Sequence, residues 1–414
     1  MTKRPQPLRV ALLGPGVVGK EAAQLLIDEA AELGARVGRP LELAAVGSRR
    51  ASVEGIDPAL LTSDLDALVR RNDIDLVVEL IGGIEPARSL ILAAIEHGKS
   101  VVTANKALLA RHGAELFAAA DAHGVDVYYE AAVGGAIPII RPLRESLVAD
   151  SVTAVMGIVN GTTNYILDQM HTHGVTYAEA LADAQKLGFA EADPTADVEG
   201  HDAAAKAAIL ASLAFHTRVT FDDVACEGIS SITAGDIAAA KEMGCVIKLL
   251  ARCAKADDGS VAVGVHPTMV PLEHPLASVS GAFNAVFVEL EWADKLMFMG
   301  PGAGGRPTAS AVVGDVVTAA RNKVRGVAGP GETSYNEPNI GDPGRVSSRH
   351  YLQMIVQDSP GVLAQIATCF AAHDVSIRAV RQVPAGPDAV HEAQLGIMTH
   401  TAPNAQVRAL IAAL

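Results

Sequence analysis

Near its start the chain reads Leu8-Arg9-Val10-Ala11-Leu12-Leu13-Gly14-Pro15-Gly16-Val17-Val18-Gly19. The apolar run that opens this stretch predicts a buried strand of a parallel sheet. The glycines follow at the spacing G-x-G-x-x-G, and residues 20–33 continue with a helical pattern. A strand, a glycine-rich turn and a helix in this order are typical of the first unit of a Rossmann-type dinucleotide-binding domain.

Each glycine has a physical role in that turn. Gly14 permits the tight bend, Gly16 lets a pyrophosphate approach the backbone, and Gly19 allows the helix to pack closely on the strand. The cofactor phosphates would rest on the N-terminus of the helix, beside Val17 and Val18, where backbone N–H groups have no partner within the helix.

The second strand, predicted at 41–46, indicates which dinucleotide is preferred. It ends in Gly47-Ser48-Arg49-Arg50, where NAD-preferring enzymes usually carry Asp or Glu to hold the ribose 2′-hydroxyl. An arginine suits a 2′-phosphate instead. The sequence therefore favours NADP over NAD, with Ser48 and Arg49 as the recognising residues. The alternative is that Arg49 and Arg50 are ordinary surface charges.

Helices and strands then alternate, which indicates an open parallel sheet whose ligands bind beyond the carboxyl ends of the strands. Thr103, Asn105 and Lys106 follow one such end, so we expect Lys106 to face the cofactor crevice; a surface lysine is the alternative. The predicted elements are helices at 64–71, 86–97 and 107–121 and strands at 75–81, 100–103 and 125–129.

The loop 130–138 follows the last of these strands and consists largely of small residues. Small residues let backbone carbonyl oxygens turn inward, as sites for hard cations require. The alternative is a linker into the next domain.

A substrate site is indicated by the stretch from Glu191 to Lys206, which gathers five carboxylates and closes on one lysine. Asp202 and Lys206 are four residues apart, so on a helix they share a face. Beside a dinucleotide site, such a stretch is suited to a polar substrate and its proton transfer. The alternative is a solvated acidic loop with one surface ion pair.

The regular alternation ends near residue 151, and the remaining elements predict two further units. A second, mostly antiparallel sheet is expected, then a linker at 326–348, then a small β-α-β-β-α module of ferredoxin-like type without its closing strand. A glycine-rich loop at 298–305 either returns to the cofactor or forms a hairpin turn. The elements expected after residue 151 are strands at 152–159, 226–232, 246–255, 261–269 and 284–292, helices at 165–173, 176–187, 203–215 and 307–325, and module elements at 351–357, 361–373, 375–382, 393–400 and 405–413.

Bulk composition narrows the class of protein. The net charge is −14 and no basic stripe occurs, which argues against nucleic-acid binding. The four cysteines form no C-x-x-C pair and are expected to be reduced. We find no signal-peptide pattern and no apolar run long enough to span a membrane. These features are typical of a cytoplasmic enzyme.

Several motifs occur together in one order, although each alone is weak. They are Gly14-x-Gly16-x-x-Gly19, Thr103-Ala104-Asn105-Lys106, the 130–138 loop, Asn160-Gly161-Thr162-Thr163-Asn164, Glu191-Ala192-Asp193-Pro194 with Asp197, Gly200-x-Asp202-x-x-x-Lys206, Gly302-Ala303-Gly304 and Asp358-Ser359-Pro360-Gly361-Val362-Leu363. With these motifs the chain resembles homoserine dehydrogenase over essentially its whole length, in the form with a C-terminal ACT regulatory domain.

The resemblance implies an activity and a set of site residues. The family interconverts L-homoserine and L-aspartate 4-semialdehyde with NAD(P), in threonine, methionine and isoleucine biosynthesis. Lys206 matches the proton donor and acceptor, and Lys106 its partner on the cofactor side. The other matching positions are Glu191, Asp197, Asp202, Gly161 and Thr162 for the substrate, Gly302 for the cofactor, and Glu130, Val133, Gly135 and Ile137 for a monovalent cation, usually sodium, held through backbone oxygens.

The same resemblance implies a domain plan. We expect a Rossmann domain at 1–150, completed by part of 305–326, a catalytic and dimerisation domain at 151–325, and a truncated ACT domain at 349–414 that senses threonine. A homodimer or homotetramer is expected. Phe189 departs from the tyrosine that many members carry. Two alternatives remain open: a catalytically silent amino-acid sensor, and a semialdehyde dehydrogenase with a nucleophilic cysteine such as Cys226.

Overall fold

The structure is a computed structural model that describes residues 6–414 except 257, 332, 333, 335, 337, 338, 343, 345 and 385–390. Residues 1–5 and parts of the predicted linker, 326–348, therefore lie outside the described residues. Within the described ranges, no helix has both the length and the apolar character needed to cross a membrane.

The first sheet has six parallel strands in the order β3-β2-β1-β4-β5-β6, as predicted for a Rossmann-type domain. The strand order reverses between β1 and β4, and this switch point places a crevice beyond their carboxyl ends. The predicted helix at 20–33 is divided into two helices, α1 and α2. The elements are β1 Leu8–Leu13, α1 Val17–Asp28, α2 Ala30–Val37, β2 Leu41–Gly47, β3 Leu61–Thr62, α3 Leu65–Arg70, β4 Leu76–Glu79, α4 Ala87–Glu96, β5 Ser100–Thr103, α5 Lys106–His123 and β6 Val127–Tyr128.

The turn between β1 and α1 depends on two of its glycines. Gly14 has a φ of +90°, a conformation that side chains disfavour. A Cβ added to Gly19 would lie 2.1 Å from the carbonyl oxygen of Gly14, so any side chain there would push α1 away from the turn.

The second sheet also has six strands, in the order β12-β11-β7-β9-β10-β8, and most of its pairs are antiparallel. Helix α9 packs between this sheet and α5 of the first domain. The elements are β7 Val152–Ile158, α6 Gly161–His173, α7 Tyr177–Lys186, α8 Thr195–Val198, α9 His201–Phe215, β8 Ala225–Cys226, α10 Ala234–Glu242, β9 Cys245–Lys255, β10 Val261–Pro271, β11 Phe283–Leu290, β12 Lys295–Pro301 and α11 Gly305–Arg325.

Helix α9 is enclosed on nearly all sides, since twelve of its fifteen residues are buried. A helix that is apolar all round is typical of a protein core. Seven of its residues are alanines, whose small side chains let α5 and the second sheet approach closely. Lys206 is therefore carried by an element with a well-fixed position.

Two segments of the second domain differ from the sequence-based expectations. The strand expected at 226–232 is wrong beyond Cys226, because Gly228 lies directly under the α8–α9 turn, with Val198 O 2.3 Å from the position of an added Cβ. The loop expected at 298–305 is extended up to Pro301, because it pairs with β11 as an edge strand. Helix α10 was not expected at all.

Helix α11 returns to the first sheet and packs on α1, β4 and β5. Its apolar face, which includes Val312 and Val316, joins the core formed by Val10 and Leu12. The chain thus crosses from the second domain back to the cofactor side between β12 and α11.

The C-terminal module contains an antiparallel sheet in the order β14-β16-β15, with α12 and α13 packed on it. Among the described residues no fourth strand lies beside β14. A short pair, β13 with β17, was not expected. The elements are β13 Ser347–Ser348, β14 Tyr351–Gln357, α12 Val362–Ala372, β15 Ile377–Pro384, β16 Glu392–Thr399, β17 Ala402–Pro403 and α13 Asn404–Ala413.

Candidate active site

Two lysines from different domains meet on one carboxylate. The Nζ of Lys206 lies 2.7 Å from Oδ2 of Asp202, one turn earlier on α9. The Nζ of Lys106, at the start of α5, lies 2.7 Å from Oδ1 of the same group. Because Lys106 follows β5, this arrangement ties the substrate loop to the carboxyl edge of the cofactor sheet.

The side chain of Lys206 is buried. Its ammonium donates to the carbonyl oxygen of Val159 at 2.6 Å as well as to Asp202, and the residue is only 8% exposed. An ammonium has three donors, so one direction remains for a third group.

The environment of each group shifts its pKa. Burial lowers the pKa of Lys206, and the nearby Lys106 charge adds to this, while Asp202 opposes it. Burial alone would raise the pKa of Asp202, but the Lys206 and Lys106 ammonium groups outweigh it and hold this pKa below its usual range. Burial also disfavours charge on Lys106, yet the Asp202 carboxylate raises its pKa overall. Lys206 is therefore the lysine better suited to exchange a proton near neutral pH.

Asn160 organises the carboxylates, and sequence reasoning quoted it in a motif without giving it a role. Its Nδ2 donates to Asp197 Oδ1 at 2.7 Å and to Asp202 Oδ2 at 3.0 Å, while its Oδ1 caps α6 by accepting from the N–H of Thr163. The pKa of Asp197 is raised, chiefly by burial and also by the nearby Asp202 charge. The hydrogen bond from Asn160 opposes this shift.

The remaining residues expected at the substrate lie around this group. Gly161 and Thr162 form the first turn of α6, and the Thr162 hydroxyl donates to the carbonyl oxygen of Phe189. The ring of Phe189 packs on Tyr165, with their centroids 5.0 Å apart. The Glu191 carboxylate is exposed and forms no hydrogen bond with the described residues, so the structure does not join it to the lysine pair.

The crevice beside β1 fits a dinucleotide. Helix α1 begins at Val17 with Gly16 as its N-cap and no side chain capping it. A Cβ at Gly16 would meet nothing within 4 Å, so a ligand can approach the backbone there. Just after β2, the Ser48 hydroxyl accepts a hydrogen bond from the N–H of Arg50, and the Arg49 side chain is exposed. The free N–H groups of α1 and the arginine beyond β2 are suited to phosphate groups.

Thr103 contributes to the crevice indirectly. It is fully buried, and its hydroxyl donates to Glu79 Oε2 at 2.6 Å and accepts from the N–H of Asn105. Glu79 in turn accepts from the N–H groups of Ile81 and Gly82. This network fixes the ends of β4 and β5 just before Lys106. Sequence reasoning missed Glu79, although a single carboxylate in an otherwise apolar strand was the available signal.

The loop predicted to hold a cation is closed by the side chain at its first residue. Glu130 accepts from the N–H groups of Ile139, Ile140 and Arg141, at 2.6, 2.7 and 2.9 Å. Its own N–H donates to Asp315 on α11, at 2.7 Å. The Glu130 carboxylate is thus occupied with holding both ends of the loop.

The backbone of this loop is suited to a hard cation. Val133, Gly135 and Ile137 are buried, and none of the backbone hydrogen bonds of the described residues ends on their carbonyl oxygens. Buried carbonyl groups are normally paired, so these three fit a cation held by backbone oxygens. Among the described residues, no group of three His, Cys, Asp or Glu side chains could hold a metal ion.

Asp315 is a second buried acid beside this loop. Arg141 donates to its Oδ1, and the residue is fully buried. Burial raises the pKa of Asp315 to about 7, although Arg141 opposes the shift. Neither residue was expected from the sequence, because their contact joins positions far apart in the chain.

Gly302 lies at the start of the turn that connects β12 with α11. Its carbonyl oxygen is in close contact with Gly135 of the predicted cation loop, residues 130–138, since an added Cβ on Gly135 would lie 2.6 Å away. At the other end of the turn, an added Cβ on Gly305 would lie 3.3 Å from the carbonyl oxygen of Val17. The turn therefore extends from the cation loop to the dinucleotide turn.

Three of the four cysteines, Cys226, Cys245 and Cys253, are poorly suited to act as nucleophiles. Burial raises the pKa of Cys253 to about 12 and also raises that of Cys245. Burial, with the Glu199 and Glu227 carboxylates, raises the pKa of Cys226. A thiol with a raised pKa is a poor nucleophile, which disfavours the cysteine-dependent alternative.

Three sequence profiles match the chain in succession. Residues 14–130 match the NAD-binding domain of homoserine dehydrogenase, residues 138–317 match homoserine dehydrogenase and residues 350–414 match the ACT domain.

Known proteins agree with this order of domains. The chain is 56% identical over 399 residues to the homoserine dehydrogenase of Corynebacterium glutamicum, covering 95% of this chain and 89% of the relative. It is 54% identical over 417 residues to that of Mycobacterium tuberculosis, covering 99% and 94%. The crystal structure of a homoserine dehydrogenase from Thiobacillus denitrificans superposes with a TM-score of 0.89 at 39% identity, covering 98% and 94%.

Proposed function

This chain belongs to the homoserine dehydrogenase family, and from this premise we propose that it interconverts L-homoserine and L-aspartate 4-semialdehyde with NADP(H), with Lys206 as acid and base. The NAD(P)-binding domain and the oxidoreductase class follow from the family itself. The ACT domain at the C-terminus makes a catalytically silent sensor conceivable, but the intact lysine pair and its carboxylates favour the enzyme.

One observation carries this proposal: Lys206 is buried, has a lowered pKa and makes two hydrogen bonds, leaving one position of its amine for a substrate oxygen. In the oxidation of homoserine, the neutral amine takes the hydroxyl proton as the C–H bond at the same carbon breaks. NADP, held by the glycine turn at 14–19, would supply the hydride acceptor for that carbon. In the reverse direction the Lys206 ammonium returns the proton to the aldehyde oxygen.

The substrate has a polar cradle beside this amine. Asp197 and Asp202 are held by Asn160, and both face the start of α6. We propose that these carboxylates receive the substrate ammonium and that the N–H groups of Gly161 and Thr162 receive its carboxylate, since helix N-termini favour anions. The function is tested by following NADPH absorbance with purified protein and L-homoserine; absence of turnover would contradict it.

Arg49 provides a test of cofactor preference. We expect Arg49→Ala to raise the KM for NADPH about tenfold or more, because a charge-assisted hydrogen bond to the 2′-phosphate is lost. The KM for NADH, which lacks that phosphate, should change little. Steady-state kinetics with both cofactors measures this, with Arg39→Ala as a control at a half-buried arginine that bonds to the backbone of Gln6. Equal effects on both cofactors would contradict recognition of a 2′-phosphate.

We also propose a monovalent cation, sodium, on the backbone oxygens of the loop that Glu130 closes. The three buried and unpaired carbonyl groups support this site. Such a cation would fix the loop against Gly302, since Gly135 and Gly302 are in contact.

A change in the closing residue should weaken cation binding. In Glu130→Gln the amide can no longer accept three N–H groups, so the loop loosens and half-maximal activation should need about tenfold more sodium. Initial rates are measured across a sodium titration at constant ionic strength, with choline as the replacement ion. The proposal fails if wild-type activity is the same in choline as in sodium.

The ACT domain supplies the regulatory site. A cleft lined by Asp358, Pro360, Gly361 and Gln382 lies between the end of β14 and the start of α12, and Gln382 donates to Asp358 at 2.9 Å. We propose that an end-product amino acid, threonine, binds there.

We further propose that the enzyme acts in threonine, methionine and isoleucine biosynthesis and assembles as a homodimer or homotetramer. We propose the cytoplasm as its compartment, in keeping with four free cysteines.

A further inference from the structure

Asn284, the second residue of β11, carries a buried side chain with no hydrogen-bond partner. The residue is 1% exposed, and neither its Nδ2 nor its Oδ1 bonds to any described residue. A buried polar group left without a partner costs free energy, so both atoms of an amide are seldom left in this state. Asn164 shows the usual situation, because its Nδ2 donates to the carbonyl oxygens of Val279 and Gly281.

The Asn284 amide lies between two glycines of the active site. A Cβ added to Gly302 would lie 2.0 Å from Asn284 Cγ and Nδ2, and one added to Gly161 would lie 3.4 Å from its Oδ1. Gly161 begins the helix that faces the substrate, and Gly302 begins the turn towards the dinucleotide site. A side chain at Gly302 would occupy the space that the amide fills, whereas Gly161 is in ordinary van der Waals contact with the amide.

The turn after Gly302 has the freedom to rearrange. It contains glycine at 302, 304 and 305, and Gly304 has a φ of +119°. A peptide group presents one N–H and one C=O, the complements of the two unpaired atoms of a primary amide. Reorientation of a glycine peptide beside Asn284 would therefore satisfy both atoms at small conformational cost.

We propose that Asn284 is a positioning residue for the nicotinamide half of the cofactor. When that half is bound, the Asn284 amide hydrogen-bonds the 302–304 turn and fixes it between the cation loop and the start of α6. The inference rests on the proposed function and adds a residue to it. We therefore expect Asn284 to affect binding of the nicotinamide half alone, because the adenosine half would lie against α1 and β2.

Two ligands separate the two halves of the cofactor. We expect Asn284→Ala to raise the dissociation constant of NADPH about tenfold, corresponding to about 1.4 kcal/mol. Adenosine 2′,5′-bisphosphate, which lacks the nicotinamide half, should bind within about twofold of the wild type. Binding is measured by isothermal titration calorimetry on the full-length protein, without substrate and without reliance on turnover.

The matched control is Asn322→Ala, which removes a paired amide at the far end of α11 and should leave both dissociation constants unchanged. Asn284→Ser keeps a hydroxyl in the same space and replaces the alanine variant if that variant does not fold. The inference is overturned if NADPH binds the variant as tightly as the wild type, or if both ligands weaken equally. Failure of the proposed function would appear separately, as a wild-type protein without homoserine turnover.

Discussion

Lys206→Ala should lose roughly 10²–10⁴-fold in kcat while NADPH binding persists, because the variant lacks the acid–base group but keeps the whole cofactor crevice. Lys206→Arg should be impaired as well, since a guanidinium does not give up its proton at working pH. The measurement is steady-state turnover of homoserine with NADPH titration by fluorescence. Lys241→Ala, at an exposed lysine of α10, is the control.

The pH dependence gives this prediction a second readout. Oxidation of homoserine needs Lys206 as the neutral amine, so kcat/KM in that direction should rise as pH passes its pKa. Burial lowers this pKa, so the rise should occur below the value of about 10.4 that is usual for lysine. A variant with near-normal turnover, or a wild-type profile that rises only at the usual lysine pKa, would contradict the role of Lys206.

Asp202→Asn should cause the second large effect, a loss of roughly 10²–10³-fold in kcat. The substitution keeps the shape but removes the charge that lies 2.7 Å from both ammonium groups. Two lysines then face each other without a carboxylate, and removal of one partner of a buried ion pair costs about 3–5 kcal/mol of stability. Chemical denaturation measures this loss, and kinetics measures the fall in turnover.

The direction of the pH shift distinguishes this effect from simple unfolding. Asp202 raises the pKa of Lys206, so its neutralisation should move the rise of kcat/KM to lower pH. Asp193→Asn is the matched control, because Asp193 is an exposed carboxylate of the same loop whose side chain, among the described residues, bonds only to Thr195. The interpretation is wrong if both variants lower turnover to the same extent.

The first domain could be predicted from sequence because its signals are local. The run before Gly14 is apolar except for Arg9, as expected of a strand buried on both faces, and the glycine spacing fixes the turn that follows. The strand at Ser100–Thr103 was predicted with its observed bounds, and so was Tyr351–Gln357. For these strands the local sequence pattern and the tertiary contacts favour the same secondary structure.

The second domain was harder because tertiary contacts decide its local structure. Residues 226–232 contain enough apolar side chains for a strand, but Gly228 packs under Val198 and Glu199, where pairing is impossible. Helix α10 was missed, although Thr233 and Asp236 form a capping box that signals a helix start. Its alanine-rich sequence shows little amphipathic pattern, so periodicity gave no second indication.

The site was predictable only where residues lie close in sequence. Asp202 and Lys206 are four apart, and their shared face follows from the helix repeat. The roles of Asn160 and Asn284 depend on contacts between segments that are distant in the sequence. Gly161 and Asn284, for example, are in contact although they are more than a hundred residues apart. No spacing rule within one segment can indicate such a contact.

The ion pair between Lys106 and Asp202 has a mechanical consequence. It joins the N-terminal ends of α5, which packs on the first sheet, and α9, which packs on the second. Any rotation of one domain against the other must leave these ends together or break a buried charge contact.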